Sequence, residues 1–170
     1  MQRERFKRLL TESVYKLAWR YALRMSSTPE DAEDLLQESL VQALLKLPEL
    51  RDDSSFKPWL LTIVRRKALD RARITKRHRQ TKQFLPVLAA EPTDILSAEI
   101  LKVLQALPDN SRELLCLFYL EGLSAKEVAH VLRISEAAVR QRLMRARLAM
   151  RRELSRSPGV HYYYREVRGE

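Results

Sequence analysis

The sequence has little glycine and almost no cysteine, two residues on which many cofactor and metal sites depend. It contains three glycines and one cysteine, Cys116, among 170 residues. Glycine-rich phosphate loops and dinucleotide-binding turns need several closely spaced glycines, so both kinds of site are excluded. A single cysteine cannot form an internal disulfide, and no cysteine cluster is present to bind zinc. We therefore expect no cofactor and no bound metal.

Long apolar runs are also missing. The longest is Leu114–Leu120, far short of the roughly 18 residues that cross a bilayer. The first ten residues, MQRERFKRLL, have no apolar signal core. These features predict a protein of the reducing cytoplasm with no membrane partner. No acid–base pair or activated nucleophile emerges from the sequence, so we expect a protein that is not an enzyme.

Positive charge is what the sequence has in excess. Its 32 Lys and Arg against 22 Asp and Glu give a formal net charge of +10 at pH 7. Residues 65–82 hold nine basic residues and one acid, and residues 140–152 hold six basic residues and no acid. Two cationic segments predict contacts with a polyanion, most commonly nucleic acid. Residues 30–38 are strongly acidic instead, which indicates a different partner. The alternative is that each segment is a solvated helix face.

Helical periodicity runs through almost the whole chain, and no segment alternates as a strand does. The predicted fold class is all-α, with two small helical domains joined by a linker. The pattern breaks between about residues 75 and 93, where Pro86 and Pro92 interrupt it, and the tail from Ser157 is predicted to be disordered. The predicted helices span about residues 5–25, 29–47, 57–74, 94–107, 111–120, 124–132 and 136–154.

The last two predicted helices carry the signals of a helix-turn-helix. Ser124 and Glu127 have the spacing of a capping box, and residues 133–135 make a short turn. Arg133 takes the place where glycine is common in such turns, so a left-handed backbone there would cost roughly 1–2 kcal/mol. Four apolar residues recur at helical spacing in the second helix and predict an inward stripe: Val139, Leu143, Ala146 and Met150.

The residues between the members of this stripe must point outward, as in a recognition helix that presents its side chains to a major groove. Arg can bond guanine through two hydrogen bonds and Gln can bond adenine. The predicted base-contacting set is Arg140, Gln141, Met144 and Arg145. Phosphate contacts, which provide affinity rather than sequence recognition, are predicted for Arg142, Arg147 and Arg151.

Motifs in both halves resemble those of one protein family. Residues 32–38 (AEDLLQE) and 59–66 (WLLTIVRR), followed by Asp70 and Arg73, look like domain 2 of a bacterial sigma factor. Leu107-Pro108 to Arg112-Glu113, residues 121–124 (EGLS) and 127–129 (EVA), and residues 139–147 resemble domain 4. The order and spacing, over about residues 5–152, are similar to those of the two-domain extracytoplasmic-function (ECF) group of the sigma-70 family.

The resemblance implies a function, partners and domain bounds. Such a protein binds core RNA polymerase and directs it to promoters, domain 2 recognising and melting the −10 element and domain 4 reading the −35 element. The implied partners are core polymerase (the β′ clamp helices and the β flap), promoter DNA as duplex and melted strand, and an anti-sigma factor. The implied bounds are residues 1–78 for domain 2, 79–93 for the linker, 94–155 for domain 4 and 156–170 for a tail.

The resemblance also assigns three groups of site residues. The polymerase-binding group is Asp34, Gln37 and Glu38. Residues 51–56 match the loop that captures an unstacked base, and for Trp59 a role as core anchor is favoured over a DNA contact. The whole −10 group is Ser55, Phe56, Trp59, Arg65, Arg66, Lys67, Arg71 and Arg73. The −35 group is Arg140, Gln141, Arg142, Met144, Arg145 and Arg147.

Some positions depart from the family pattern, and two other functions stay open. Arg66 replaces the usual Asn, Ala137-Ala138 replace Gly-Thr, and Gln141 replaces Ser, so no promoter sequence is predicted. A stand-alone helix-turn-helix regulator would explain residues 124–152 but not residues 32–73. A helical interaction module would bind an acidic protein through its basic faces.

Overall fold

The structure is a computed structural model that describes residues 2–76 and 95–156. Within those two ranges the chain forms α-helices and short helical turns with no strand, which confirms the predicted all-α fold class. In the same ranges no helix is both long and apolar enough to cross a membrane. The predicted linker and the tail from Ser157 lie outside the described residues.

The chain divides into two compact units. The first contains α1 (Gln2–Leu9), α2 (Glu12–Met25), α3 (Pro29–Lys46) and α4 (Phe56–Lys76), with 3-10 turns at Leu47–Glu49 and Asp53–Ser55. Helices α2, α3 and α4 pack against one another, and α1 packs on α3 and the turn that follows it. The core of the unit is apolar, and its largest fully buried side chains are Tyr21, Leu35, Leu36, Leu47, Leu60, Leu61 and Val64.

The predicted single helix over residues 5–25 is wrong. The chain forms two helices there, because Thr11 adopts an extended conformation and caps the second one. Its hydroxyl oxygen accepts a hydrogen bond from the backbone N–H of Val14, which satisfies a donor that the first turn leaves free. The predicted start of α3 is confirmed: Thr28 accepts a hydrogen bond from the N–H of Asp31 at 3.1 Å, and Pro29 occupies the first turn.

The second unit contains α5 (Ile95–Ala106), α6 (Asp109–Leu115), α8 (Glu136–Arg156) and the first turn of α7 (Ala125–Leu132). The predicted helix over residues 111–120 is correct only in part. The chain is α-helical to Leu115 and then forms a π turn over Cys116–Leu120, which the N–H of Glu121 closes on the carbonyl of Cys116 at 3.0 Å. A π turn contains one extra residue and so shifts the side chains that follow it around the helix axis.

Helices α7 and α8 both begin with the predicted caps. The N–H of Ser124 donates to Glu127 Oε2 at 2.8 Å, and the N–H of Glu127 donates to Ser124 Oγ at 3.2 Å, which confirms the capping box. Arg133 has φ +55°, so the turn keeps the left-handed backbone and its strain falls on a residue that is not glycine. Ser135 caps α8 by accepting from the N–H of Ala138 at 3.1 Å. In α8 the inward stripe is confirmed for Val139, Leu143 and Ala146, which are buried, whereas Met150 is only half-buried.

Candidate nucleic-acid interface

The outer face of α8 is cationic and accessible. All six residues predicted to contact −35 DNA are exposed, because the apolar stripe on the opposite side directs them away from the core: Arg140, Gln141, Arg142, Met144, Arg145 and Arg147. Arg140 forms an ion pair with Glu136 one turn earlier, at 2.5 Å. This pair holds the guanidinium near the N-terminal end of α8, the part of a recognition helix that contacts base edges.

Arg147 is held by an aromatic pair that the sequence did not single out. Its Nε donates a hydrogen bond to the hydroxyl of Tyr119 at 2.6 Å. The guanidinium carbon lies 5.5 Å from the Tyr119 ring centre and 5.9 Å from that of Phe118, within the range of cation–π attraction. Tyr119 belongs to an apolar run, yet its side chain is 55% exposed. The π turn puts it on the surface, and no local sequence signal reveals that turn.

The loop predicted to capture a base is tightly hydrogen-bonded. Asp52 Oδ1 accepts from the N–H of Ser54 at 3.0 Å, and its Oδ2 accepts from the hydroxyls of Ser54 and Ser55. Asp53 forms ion pairs with Arg5 and with Arg8, the latter at 2.9 Å. These contacts order residues 52–55, which lead directly into α4.

Two aromatic residues of the predicted −10 group lie at the end of this loop. Phe56 is only 2% exposed, and its ring centre lies 5.8 Å from that of Phe6 and 5.9 Å from that of Trp59. The Phe56 ring is therefore enclosed by protein and is not accessible to a base in this structure. Trp59 is half-buried, so part of its ring is accessible.

The cations of α4 point in two directions. Arg66 and Arg73 lie on the exposed side and flank Asp70, at 3.9 and 3.7 Å. Lys67 and Arg71 face α3 instead, where Glu38 accepts from both, at 3.2 and 2.8 Å. The structure therefore brings together residues that were predicted for two different partners.

The outer face of α3 carries acids and two apolar side chains. Asp34 and Gln37 are exposed, and Gln37 donates to Glu33 at 3.2 Å. Val41 and Leu45 follow Asp34 at helical spacing, and their side chains are 60% and 73% exposed. These two exposed apolar residues were not among the predicted site residues, although their spacing from Asp34 puts them on the same face of α3.

The basic neighbours keep two carboxylates charged. Hydrogen bonds from Arg71 and then Lys67 are the main causes that lower the pKa of Glu38 below its ordinary value. The pKa of Asp53 is lowered in the same direction, first by the hydrogen bond from Arg5 and to a smaller extent by Arg8. Both carboxylates act as anionic acceptors that fix the positions of nearby cations.

Sequence comparisons identify this arrangement of helices. The sigma-70 region 2 family model matches residues 10–78, and a sigma-70 region 4 model matches residues 97–150. The chain belongs to the sigma-70 family. The two matched segments are the ones that carry the acidic face of α3, the cationic α4 and the cationic α8.

The proteins that this sigma factor is similar to indicate its group within the family. It is 37% identical over 146 residues to a probable RNA polymerase sigma factor, RfaY, of Xanthomonas campestris pv. campestris, covering 78% of this chain and 36% of that protein. It is 32% identical over 151 residues to the ECF sigma factor SigM of Bacillus subtilis, covering 80% of this chain and 90% of that one. The sigma factor RpoE of Bartonella quintana, solved with the anti-sigma factor NepR, aligns with a TM-score of 0.66 and 25% identity, covering 84% and 92%.

These relatives assign the sigma factor to the ECF group. It is a promoter-directing, DNA-binding initiation factor of transcription. A stand-alone helix-turn-helix regulator is not favoured, because the region 2 match covers residues 10–78, which such a regulator leaves unexplained.

Proposed function

We propose that this sigma factor binds core RNA polymerase through the outer face of α3, contacts −10 DNA through α4 and the preceding loop, and contacts −35 DNA through α8. The observation that carries the proposal is the separation of charge between exposed faces. The outer face of α3 is acidic with an apolar end, whereas the outer faces of α4 and α8 carry guanidinium groups. A phosphate backbone repels the first face and attracts the other two.

The polymerase surface consists of Asp34 and Gln37 with Val41 and Leu45 beside them. Interfaces between proteins commonly combine an apolar centre with a polar rim, and this face offers both. We assign it to the β′ clamp helices of core polymerase. For Glu38 we propose a second role, because it also holds cations of α4.

The −10 surface combines a cationic helix with an exposed polar loop. Arg66 and Arg73 provide attraction for the backbone of the melted strand. Ser54 and Ser55, ordered by Asp52, provide hydrogen-bonding groups for an unpaired base. Stacking of a base on the accessible part of Trp59 would add about 1–3 kcal/mol. The buried ring of Phe56 packs between Phe6 and Trp59 and so anchors the end of the loop.

The −35 surface is the exposed half of α8. Arg140, Gln141, Met144 and Arg145 are proposed to contact base edges in the major groove, and Arg142 and Arg147 to contact phosphates. Once polymerase holds the sigma factor and one DNA surface is engaged, binding of the other surface to the same promoter is intramolecular. Its effective concentration is therefore raised, so two modest contacts together can select one promoter.

The proposal extends to domain bounds, location and a regulating partner. The domains are residues 1–78 and 94–155, with the linker at 79–93 and the tail at 156–170. The predicted location is the cytoplasm, where transcription takes place. Because RpoE of Bartonella quintana was solved with NepR, we also propose that an anti-sigma factor binds this chain.

The experiment that tests the function is run-off transcription with core polymerase and a library of genomic fragments. We expect transcripts from a small set of defined start sites that core polymerase alone does not produce. Initiation at no defined site would overturn the proposal. A footprint on duplex DNA in the absence of core polymerase would favour the stand-alone regulator.

A further inference from the structure

Arg5 of α1 connects the N-terminal helix to three points of the loop between α3 and α4. Its Nε donates to Asp53 Oδ1 at 2.9 Å, and its Nη2 donates to the carbonyl of Leu50 at 2.9 Å. Its Nη1 also donates to the carbonyl of Leu47 at 3.4 Å. One guanidinium thus joins the beginning and the middle of the loop, across more than 40 positions of the chain.

Two further contacts of α1 reinforce this connection. Arg8 Nη2 donates to the other oxygen of Asp53 at 2.9 Å. The ring of Phe6 meets the ring of Phe56 edge to face, with centres 5.8 Å apart, at the end of the loop. The region 2 family model begins its match at residue 10. The helix that orders the loop therefore precedes the segment by which the family is recognised.

We infer that Arg5 is a positioning residue, which holds residues 50–56 in the conformation that receives an unpaired −10 base. The inference rests on the proposed function of that loop. The N–H groups of the Arg5 guanidinium donate to Asp53 and to the carbonyls of Leu47 and Leu50. Arg5 therefore acts on the loop through these groups rather than by touching DNA.

The physical reason is preorganisation. An exposed loop that is ordered only when a base arrives loses conformational freedom at that moment, and this loss weakens binding. A loop already fixed by hydrogen bonds avoids most of that loss. Only a guanidinium has planar, divergent N–H groups that reach several acceptors at once, so Lys cannot replace Arg5 in this role even though it keeps the charge.

The test compares Arg5→Lys with Arg3→Lys in the full-length chain. Both changes keep the net charge and alter the same helix, but Arg3 is exposed and, two positions from Arg5, projects from a different side of α1. Hydrogen exchange of the backbone amides of residues 51–56 is the first measurement. We expect exchange to be about tenfold faster in Arg5→Lys, with unchanged protection of the core amides of α2 and α3.

The second measurement is base selectivity of the holoenzyme. Open-complex formation is followed on templates that carry each of the four bases at the −10 position where the wild-type protein discriminates most. We expect Arg5→Lys to reduce discrimination at that position by about tenfold while core-polymerase binding and discrimination at −35 stay unchanged. A general loss of stability would lower activity on every template equally.

A variant of the partner residue, Asp53, tests whether Arg5 acts through this contact. Asp53→Asn should reproduce part of the effect, and adding it to Arg5→Lys should cost less than the two separate losses combined, because the two residues act through one contact. Unchanged loop exchange, or unchanged selectivity at −10 despite faster exchange, would overturn the role of Arg5 while leaving the proposed function intact. Failure of the wild-type protein to initiate at any defined site would overturn both.

Discussion

The guanidinium of Arg71 lies 2.8 Å from the carboxylate of Glu38 and so joins the cationic helix α4 to the acidic helix α3. Lys67 shares the same carboxylate at 3.2 Å. The sequence assigned Glu38 to polymerase and the two cations to DNA. In the structure the three residues form one cluster of ion pairs. A partner that binds one of them therefore changes the charge that the other two present to a second partner.

Replacing Glu38 with Gln should strengthen the binding of DNA to the free protein. The change removes the negative charge that neutralises Lys67 and Arg71, so the positive potential that this part of α4 presents to phosphates rises. We expect a roughly threefold to tenfold gain in affinity for a short duplex of arbitrary sequence, with a steeper salt dependence. Fluorescence anisotropy at several salt concentrations measures both. Glu33→Gln removes an equal charge from the same helix, and an identical gain in that variant would contradict the specific role of Glu38.

The pH dependence of stability should reflect the same cluster. The folded-state pKa of Glu38 is lowered, first by Arg71 and then by Lys67, from an ordinary value of 4.5. Its contribution is therefore fully present above the ordinary value and is lost as the pH falls through the lowered folded value. Urea denaturation across the acidic range should show a smaller loss of stability for Glu38→Gln than for the wild-type protein. Parallel curves would contradict this expectation.

The apolar end of α3 should contribute to polymerase binding. Leu45 is 73% exposed beside the acidic face, and Ile74 of α4 is 72% exposed elsewhere in the same unit. We expect Leu45→Ser to weaken binding to core polymerase by about 1–2 kcal/mol, the value of one apolar side chain buried at an interface. Ile74→Ser is the matched control and should have little effect. Titration of labelled core polymerase measures both. No loss for Leu45→Ser, or an equal loss for Ile74→Ser, would contradict a specific contact of Leu45 with polymerase.

The two left-handed residues, Gly122 and Arg133, should respond in opposite directions to substitution. Arg133 has φ +55°, so Arg133→Gly removes strain of roughly 1–2 kcal/mol and adds unfolded-state entropy of roughly 0.5–1 kcal/mol. The expected net gain in unfolding free energy is about 0.5–1 kcal/mol. Gly122 has φ +64° with nothing within 4 Å of an added Cβ, so Gly122→Ala should cost about 1–2 kcal/mol from strain alone. Denaturant midpoints measure both. A loss of stability in Arg133→Gly would show that the Arg133 side chain matters more than its backbone.

Two arginines of α8 should differ in what they recognise. Arg145→Ala should weaken binding by about 1–3 kcal/mol to promoters that carry the preferred base pair at one −35 position. Binding to promoters with another base pair at that position should be weakened less. Arg142→Ala should weaken binding by a similar factor on every sequence and reduce the salt dependence, because a phosphate contact carries no sequence information. Competition binding of the holoenzyme to promoter variants separates the two. Equal loss on every sequence for Arg145→Ala would place it among the phosphate contacts.

The sequence alone determined most of the helices, several of their caps and the buried stripe of α8. Thr28, Ser124 and Ser135 have the cap positions that local spacing predicts, since a capping hydrogen bond spans only three residues. The stripe of α8 and its exposed arginines follow from the period of a helix, which depends on neighbouring residues only. The break at Thr11 was missed because its cap lies inside an otherwise continuous apolar period.

The tertiary structure decided which side chains meet. Arg5 bonds Asp53 across 48 positions, and Lys67 pairs with Glu38 across 29, because the packing of α1, α3 and α4 sets those distances. The exposure of Tyr119 and the burial of Phe56 depend on a π turn and on a ring contact with Phe6. Periodicity fixes the direction in which a side chain leaves its own helix. Only the arrangement of helices in space fixes what that side chain reaches.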